Sequence, residues 1–163
     1  MVYDSYQAPF GIIRVILDEK GLKRVAITPE CWDESLAEFG SLKRDENRCS
    51  QVILQLDEYF RGKRRQFKLA LSGLEGPEFS VKVWRALLEI PFGETRSYSE
   101  IAASIGSPKS RRAVGQANRR NPLPIFIPCH RVIGKNGDLT GYVGKGYLDF
   151  KKYLLEMEKA FSA

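Results

Sequence analysis

Cys129 stands after Pro128 and directly before His130, the single histidine of the chain, in a stretch rich in arginine. A thiol beside an imidazole is a pairing used in nucleophilic catalysis, where the base takes the proton and the thiolate attacks. The surrounding positive charge is expected to lower the Cys129 pKa from about 8.5 and raise its thiolate fraction. The residue types leave a second reading open, a buried and inert cysteine, the usual state of a free thiol. Adjacent side chains of an extended segment point to opposite faces, so His130 would reach the sulfur only across a turn or through a water. Cys31 and Cys49 are too scattered to join Cys129 in a disulfide scaffold or a CxxC metal site, and one histidine cannot build a Cys/His zinc cluster. Sequence does not decide a Cys31–Cys49 disulfide, although a reducing cytosol argues against it. No metal and no cofactor are expected.

The elements around this pair must bring it to a usable place. The segment Asn121 to Pro128 holds Pro122, Pro124 and Pro128, which remove donors and force their predecessors to be extended, so it is not helical. Within it Ile125-Phe126-Ile127 is apolar on both faces and is expected to be buried. Upstream, Ser97-Tyr98-Ser99-Glu100 fits a capping box opening a short helix with Ile101, Ala102 and Ile105, ended by Gly106. Ser107 and Pro108 read as N-cap and first residue of a second, basic helix running to Arg120. Two short helices around a glycine turn make a helix-turn-helix candidate, a shape that also serves as a plain structural unit. An earlier helix carries Phe79, Val83, Trp84, Leu87 and Leu88 and closes at Pro91-Phe92-Gly93. A last one, after the turn Lys135 to Asp138, carries Leu148, Leu154 and Leu155.

The N-terminal part reads differently. Phe10 to Asp18 and Leu22 to Ile27 flank Glu19-Lys20-Gly21 as a β-hairpin. Val52, Ile53, Leu56, Tyr59 and Phe60 follow at helical spacing up to Gly62, and residues 66–71 could form another strand. The run Ser72 to Pro77 is the best boundary. The expected fold is therefore α+β: a small N-terminal α/β support domain with an antiparallel sheet, residues 1–75, then a mainly helical domain containing the helix-turn-helix, residues 76–163.

The 163 residues carry a net charge of +6, and the whole excess lies in the second half. Residues 81–163 hold fourteen basic and seven acidic side chains, and between Ile101 and Gly137 there are seven basic and no acidic ones. Such a block is either a footprint for a polyanion or a solvated face. No apolar run approaches the roughly 18 residues of a membrane span, and the first residues lack the pattern of a signal peptide. No membrane partner is expected, and the location expected is the cytoplasm, or the nucleus in a eukaryote.

Pro128-Cys129-His130-Arg131-Val132, preceded by Arg112-Ala113-Val114-Gly115 and Asn121-Pro122, resembles the O6-alkylguanine-DNA alkyltransferase family, with the likeness running from about Phe79 to Glu158. The resemblance implies a DNA-repair enzyme that binds duplex DNA through the minor groove as a monomer. It flips O6-alkylguanine, chiefly O6-methylguanine, out of the stack and moves the alkyl group irreversibly and stoichiometrically onto Cys129. It implies Arg112 as the finger that fills the vacated space, and Ser97, Ser110, Arg111, Gly115 and Arg119 as further DNA-facing positions. Tyr98 would assist rotation and hydrogen-bond guanine N3, and Asn121 would be the hinge to the active-site segment. His130 and Glu156 would generate the thiolate through a water and a hydrogen bond. Val132, Tyr142, Val143 and Gly144 would line the pocket, Val143 standing where many members carry a small polar residue. Two alternatives belong to neighbouring classes: a lesion sensor, whose known examples lack the cysteine, and a helix-turn-helix regulator.

Overall fold

The computed structural model describes residues 1–139 and 148–163, which fall into two compact units, Met1–Leu74 and Glu75–Ala163. In the first, strands β1 (Val2–Ala8), β2 (Gly11–Leu17), β3 (Leu22–Ala26) and β4 (Lys43–Arg44) form one sheet in the order β3-β2-β1-β4, with only β4 parallel to its neighbour. The expected hairpin is β2–β3. Its turn is held by the Asp18 carboxylate, which accepts from the backbone N–H groups of Lys20 (2.8 Å) and Gly21 (3.0 Å). Strand β1 escapes the alternation rule because Asp4 and not an apolar residue takes a buried place, where Arg44 pairs with it at 3.0 Å.

Helix α1 (Pro29–Phe39) begins at Thr28, whose hydroxyl accepts from Cys31 N–H, and α2 (Glu46–Phe60) begins at Asp45, whose carboxylate accepts from Arg48 N–H. Helix α2 buries Val52, Leu56, Tyr59 and Phe60, close to the expected face, while Cys31 and Cys49 are free thiols. Residues 66–71 are not a strand. Gln55 of α2 takes both backbone groups of Lys68, donating to its carbonyl (3.2 Å) and accepting from its N–H (2.9 Å), while Leu22 N–H at the start of β3 meets the Ala70 carbonyl at 2.9 Å without a ladder forming.

The second unit contains α3 (Glu78–Leu88), β5 (Arg96–Ser97), α4 (Tyr98–Ser104), α5 (Arg111–Arg119), a single 3₁₀ turn (Cys129–Arg131), β6 (Val132–Ile133), parallel to β5, a second 3₁₀ turn (Lys135–Gly137), and α6 (Leu148–Ser162). The capping box of α4 forms: Ser97 Oγ accepts from Glu100 N–H at 3.0 Å and Glu100 Oε1 from Ser97 N–H at 3.1 Å. Helix α5 starts at Arg111 and not at Pro108, because Ser110 N–H closes onto the Ser107 carbonyl (2.9 Å) and Pro108 is spent in that turn. Helices α3, α4 and α5 pack on one another, with Trp84 Nε1 donating to the Ala117 carbonyl at 2.9 Å. Ile125, Phe126 and Ile127 are buried as expected. On α6 the buried apolar residues are Phe150, Leu154 and Met157, whereas Leu148 is exposed. Among the described residues no helix is long and apolar enough to cross a membrane.

Candidate active site

The proline segment reaches Cys129 through a chain of short-range hydrogen bonds. Asn121 Nδ2 donates to the Ile127 carbonyl (2.8 Å) and its Oδ1 accepts from Leu123 N–H (2.9 Å), while Ile127 N–H closes on the Leu123 carbonyl at 2.8 Å. One asparagine thus closes the loop whose middle residue, buried Ile125, sits at φ 77°. For a β-branched side chain that conformation is strained, and the surrounding bonds and packing hold it there. Pro128 then turns the chain with φ −79° and ψ 66°, and Cys129 N–H meets the Ile127 carbonyl at 2.7 Å. This is an inverse γ-turn. The segment expected to be extended is thus a closed loop, because Ile127 N–H bonds back to the Leu123 carbonyl, and the γ-turn leads it into the 3₁₀ turn that carries Cys129 and His130, so the opposite-face rule for strands does not govern the pair. Asn118 of α5 donates to the Cys129 carbonyl at 3.3 Å, tying the basic helix to the cysteine's own backbone.

Cys129, His130 and Glu158 are buried, at 0%, 0% and 1% exposure. His130 Nε2 lies 2.7 Å from Glu158 Oε2. Arg131 grips the same carboxylate with two bonds, Nε to Oε1 at 2.8 Å and Nη2 to Oε2 at 3.0 Å, and donates through Nη1 to the Ile90 carbonyl at 2.8 Å. Burial acts to raise the Glu158 pKa, but His130 and Arg131 outweigh it and hold the carboxyl well below the usual carboxylate range. An ionised Glu158 can only accept, so His130 Nε2 carries the hydrogen. Burial, aided by the positive charges of Arg131 and Lys151, lowers the His130 pKa despite the pull of Glu158, leaving a neutral ring.

Glu156, the carboxylate expected beside His130, is exposed. Two residues on an α-helix are separated by about 200° of rotation, so Glu156 and Glu158 cannot face the same side. The Cys129 thiol is shifted the opposite way from that expected. Burial pushes Cys129 up to about 11, and the Asn121 side chain and Lys151 only partly offset it. The arginines counted on to lower it, Arg111, Arg112, Arg119 and Arg120, stand exposed on or just after α5 and not around the sulfur.

Lys151 is a buried charged residue of this cluster that sequence reasoning missed. It is fully buried, donates to the Val132 carbonyl, and lies 5.9 Å from the centre of the Tyr98 ring. Burial brings its pKa down to about 8. The signal was present in α6: Lys151, Leu154 and Glu158 follow helical spacing, so two charged residues share the stripe reserved for the core. Such charges are almost never fully buried unless paired.

Tyr98 opens α4 and is buried with its ring packed against α5 beside Gly115. Ser97 caps that helix, Ser110 is half-buried, and Arg111, Arg112 and Arg119 are exposed. Helix α5 turns Val114, Ala117 and Asn118 inward, and among the described residues none of Lys109, Arg111, Arg112, Arg119 and Arg120 forms an ion pair with a carboxylate. Val132 is buried beside the site. Tyr142, Val143 and Gly144 lie outside the described residues.

Two family models together match nearly the whole chain: the ribonuclease-like domain of 6-O-methylguanine DNA methyltransferase over residues 1–72 and its DNA binding domain over residues 78–160. The chain is 45% identical over 158 residues to the constitutive methylated-DNA–protein-cysteine methyltransferase of Bacillus subtilis, covering 96% of this chain and 94% of that protein. It is 51% identical to the methylated-DNA–protein-cysteine methyltransferase of Mycobacterium bovis, covering 97% and 92%. The crystal structure of Mycobacterium tuberculosis O6-methylguanine methyltransferase superposes with a TM-score of 0.89 at 39% identity, covering 99% of this chain and 94% of that one. A crystal structure of Mycobacterium tuberculosis OGT in complex with DNA superposes at 0.87 with the same identity and coverage. With domain models matched across both units and curated relatives alike along almost their full length, this chain belongs to the 6-O-methylguanine-DNA methyltransferase family.

Proposed function

We propose that the chain repairs O6-alkylguanine in duplex DNA by moving the alkyl group onto Cys129, once per molecule. The observation that carries this reading is a buried thiol next to a neutral histidine whose far nitrogen is anchored on a buried carboxylate. The thiol proton passes to His130 Nδ1, which has no hydrogen-bond partner among the described residues, directly or through a water. The thiolate sulfur then attacks the alkyl carbon in line with the C–O6 bond. A C–S bond forms, the C–O6 bond breaks, and the electron pair goes to guanine O6 and its ring. Tyr98 supplies a hydrogen bond to that developing charge, and Lys151 beneath its ring adds a positive charge close by. The product is a thioether with a poor leaving group toward water, so the protein is consumed with its substrate.

The basic face of α5 holds DNA through the minor groove, with the chain acting as a monomer, and Arg112 fills the gap left by the flipped base. That a relative was solved in complex with DNA supports DNA as the partner. Extrusion costs a few kcal/mol in a duplex and nothing for a free base. Arg112→Ala is therefore expected to slow repair of duplex O6-methylguanine by about tenfold or more, each 1.36 kcal/mol being tenfold. Its reaction with free O6-benzylguanine should stay close to wild type. Parallel single-turnover assays on the two substrates check this, and equal losses on both would remove the finger role.

The central test is intact-protein mass spectrometry after incubation with a duplex carrying one O6-methylguanine, followed by peptide mapping. One methyl group on Cys129 and on no other residue is the expected result. An unmodified protein that still binds the lesion tightly would make the chain a sensor instead.

A further inference from the structure

We propose that Arg131 is the positioning residue that keeps His130 neutral with its proton on Nε2, leaving Nδ1 open as the base. This deepens the function proposed above, and rests on it only for what the base is used for.

A bare buried carboxylate 2.7 Å from an imidazole nitrogen favours the imidazolium, and a protonated His130 would carry hydrogen on both nitrogens and accept nothing. The Glu158 carboxylate is not bare. Both of its oxygens receive the Arg131 fork, and a guanidinium stays charged at every ordinary pH. The fork cannot easily swing away, because Nη1 is held by the Ile90 carbonyl and the guanidinium lies 5.7 Å from the centre of the Phe92 ring. Gly93 N–H adds a further donor to Glu158 Oε1 at 3.3 Å. Gly93 has φ +82°, and a side chain there would run into Ser162 at the end of α6, so this approach needs glycine.

The charged and titratable groups facing His130 come from two elements. Its own turn supplies Arg131 and the thiol of Cys129, and α6 supplies Glu158 and Lys151. Arg131 and Glu158 balance each other, and Lys151 adds a positive charge. A proton added to His130 would therefore enter a site whose single negative charge is already matched. Without Arg131, the same proton would be the nearest partner of Glu158. The remaining outcome for a neutral ring is set by geometry: Nε2 faces a carboxylate and must donate, so the lone pair falls on Nδ1.

The single histidine makes the test direct, since ¹⁵N-histidine labelling of the full chain gives one imidazole whose signals need no assignment. Wild type, free of DNA, is expected to show a neutral Nε2–H ring at pH 7. In Arg131→Met the protonation midpoint should rise by at least about one pH unit, as expected for a carboxylate left to pair with the ring. Arg131→Lys, which keeps the charge, should titrate near wild type. A cationic or Nδ1–H ring in wild type at pH 7 overturns the proposal, and so does an Arg131→Met midpoint equal to wild type. If Arg131→Met does not fold, Arg131→Gln gives the same comparison, and a cationic or Nδ1–H ring in wild type still overturns the proposal. The spectra involve no alkyl transfer, so failure of the repair assay with these spectra as expected would sink the proposed function and leave the role of Arg131 standing.

Discussion

Replacing Cys129 by serine is expected to abolish alkyl transfer while leaving affinity for a lesion duplex nearly unchanged. The exchange alters one atom at a fully buried position. A buried hydroxyl left without a partner costs about 1–3 kcal/mol, which a domain of ordinary stability tolerates. The chemistry does not survive, because a serine hydroxyl ionises far less readily than even a thiol raised to about 11. The exposed arginines of α5, which the proposed function assigns to DNA, are not touched by the substitution. Mass spectrometry for transfer and fluorescence anisotropy for binding, on the same preparation, check both halves. Methyl transfer by the serine variant would place the acceptor elsewhere.

Glu158→Gln is expected to slow transfer by roughly 10²–10⁴-fold, the usual contribution of a positioned acid–base group. Glu156→Gln should leave it at the wild-type rate. The amide removes the charge that anchors His130 and strands Arg131 as an unpaired buried cation, a loss of about 3–5 kcal/mol in stability. The rate must therefore be read in single-turnover experiments at a temperature where thermal melts show both variants folded. If the two variants behave alike, the buried network plays no part in transfer. The same cluster predicts acid sensitivity. His130 and Glu158 both have depressed folded-state pKa values, so the unfolded chain takes up protons first. Stability is expected to fall as pH drops below about 6.5 through His130, and further below about 4.3 through Glu158.

What was legible in the sequence was mostly local. The capping box at Ser97, the hairpin turn after Asp18, the buried proline segment and the motif around Cys129 each depend on residues close together in the chain. Their geometry follows from caps, turn residues and fixed proline φ angles wherever the segment is placed. The strand at residues 66–71 fails for the opposite reason. Its central backbone groups, those of Lys68, are taken by Gln55, thirteen residues earlier, and no pattern within the segment records that. Strand β1 was hidden in the same way, because its buried Asp4 is satisfied by Arg44, forty residues on.

The candidate pair Cys129 and His130, the acid-free basic helix and the family resemblance were determined by the sequence alone, since residue types and spacings carry them. Which glutamate serves His130 was decided only by the tertiary structure, because the phase of α6 against the cysteine turn selects Glu158 and turns Glu156 outward. The state of the thiol was decided there too. Neighbours along the chain suggested a lowered pKa, but the charges nearest in sequence point to solvent while the sulfur is sealed in the core, and desolvation outweighs them. Burial is a property of the whole packed unit. It brings Lys151, Arg131 and Glu158 from separate parts of the chain around one imidazole, and that is where the chemistry of this site is set.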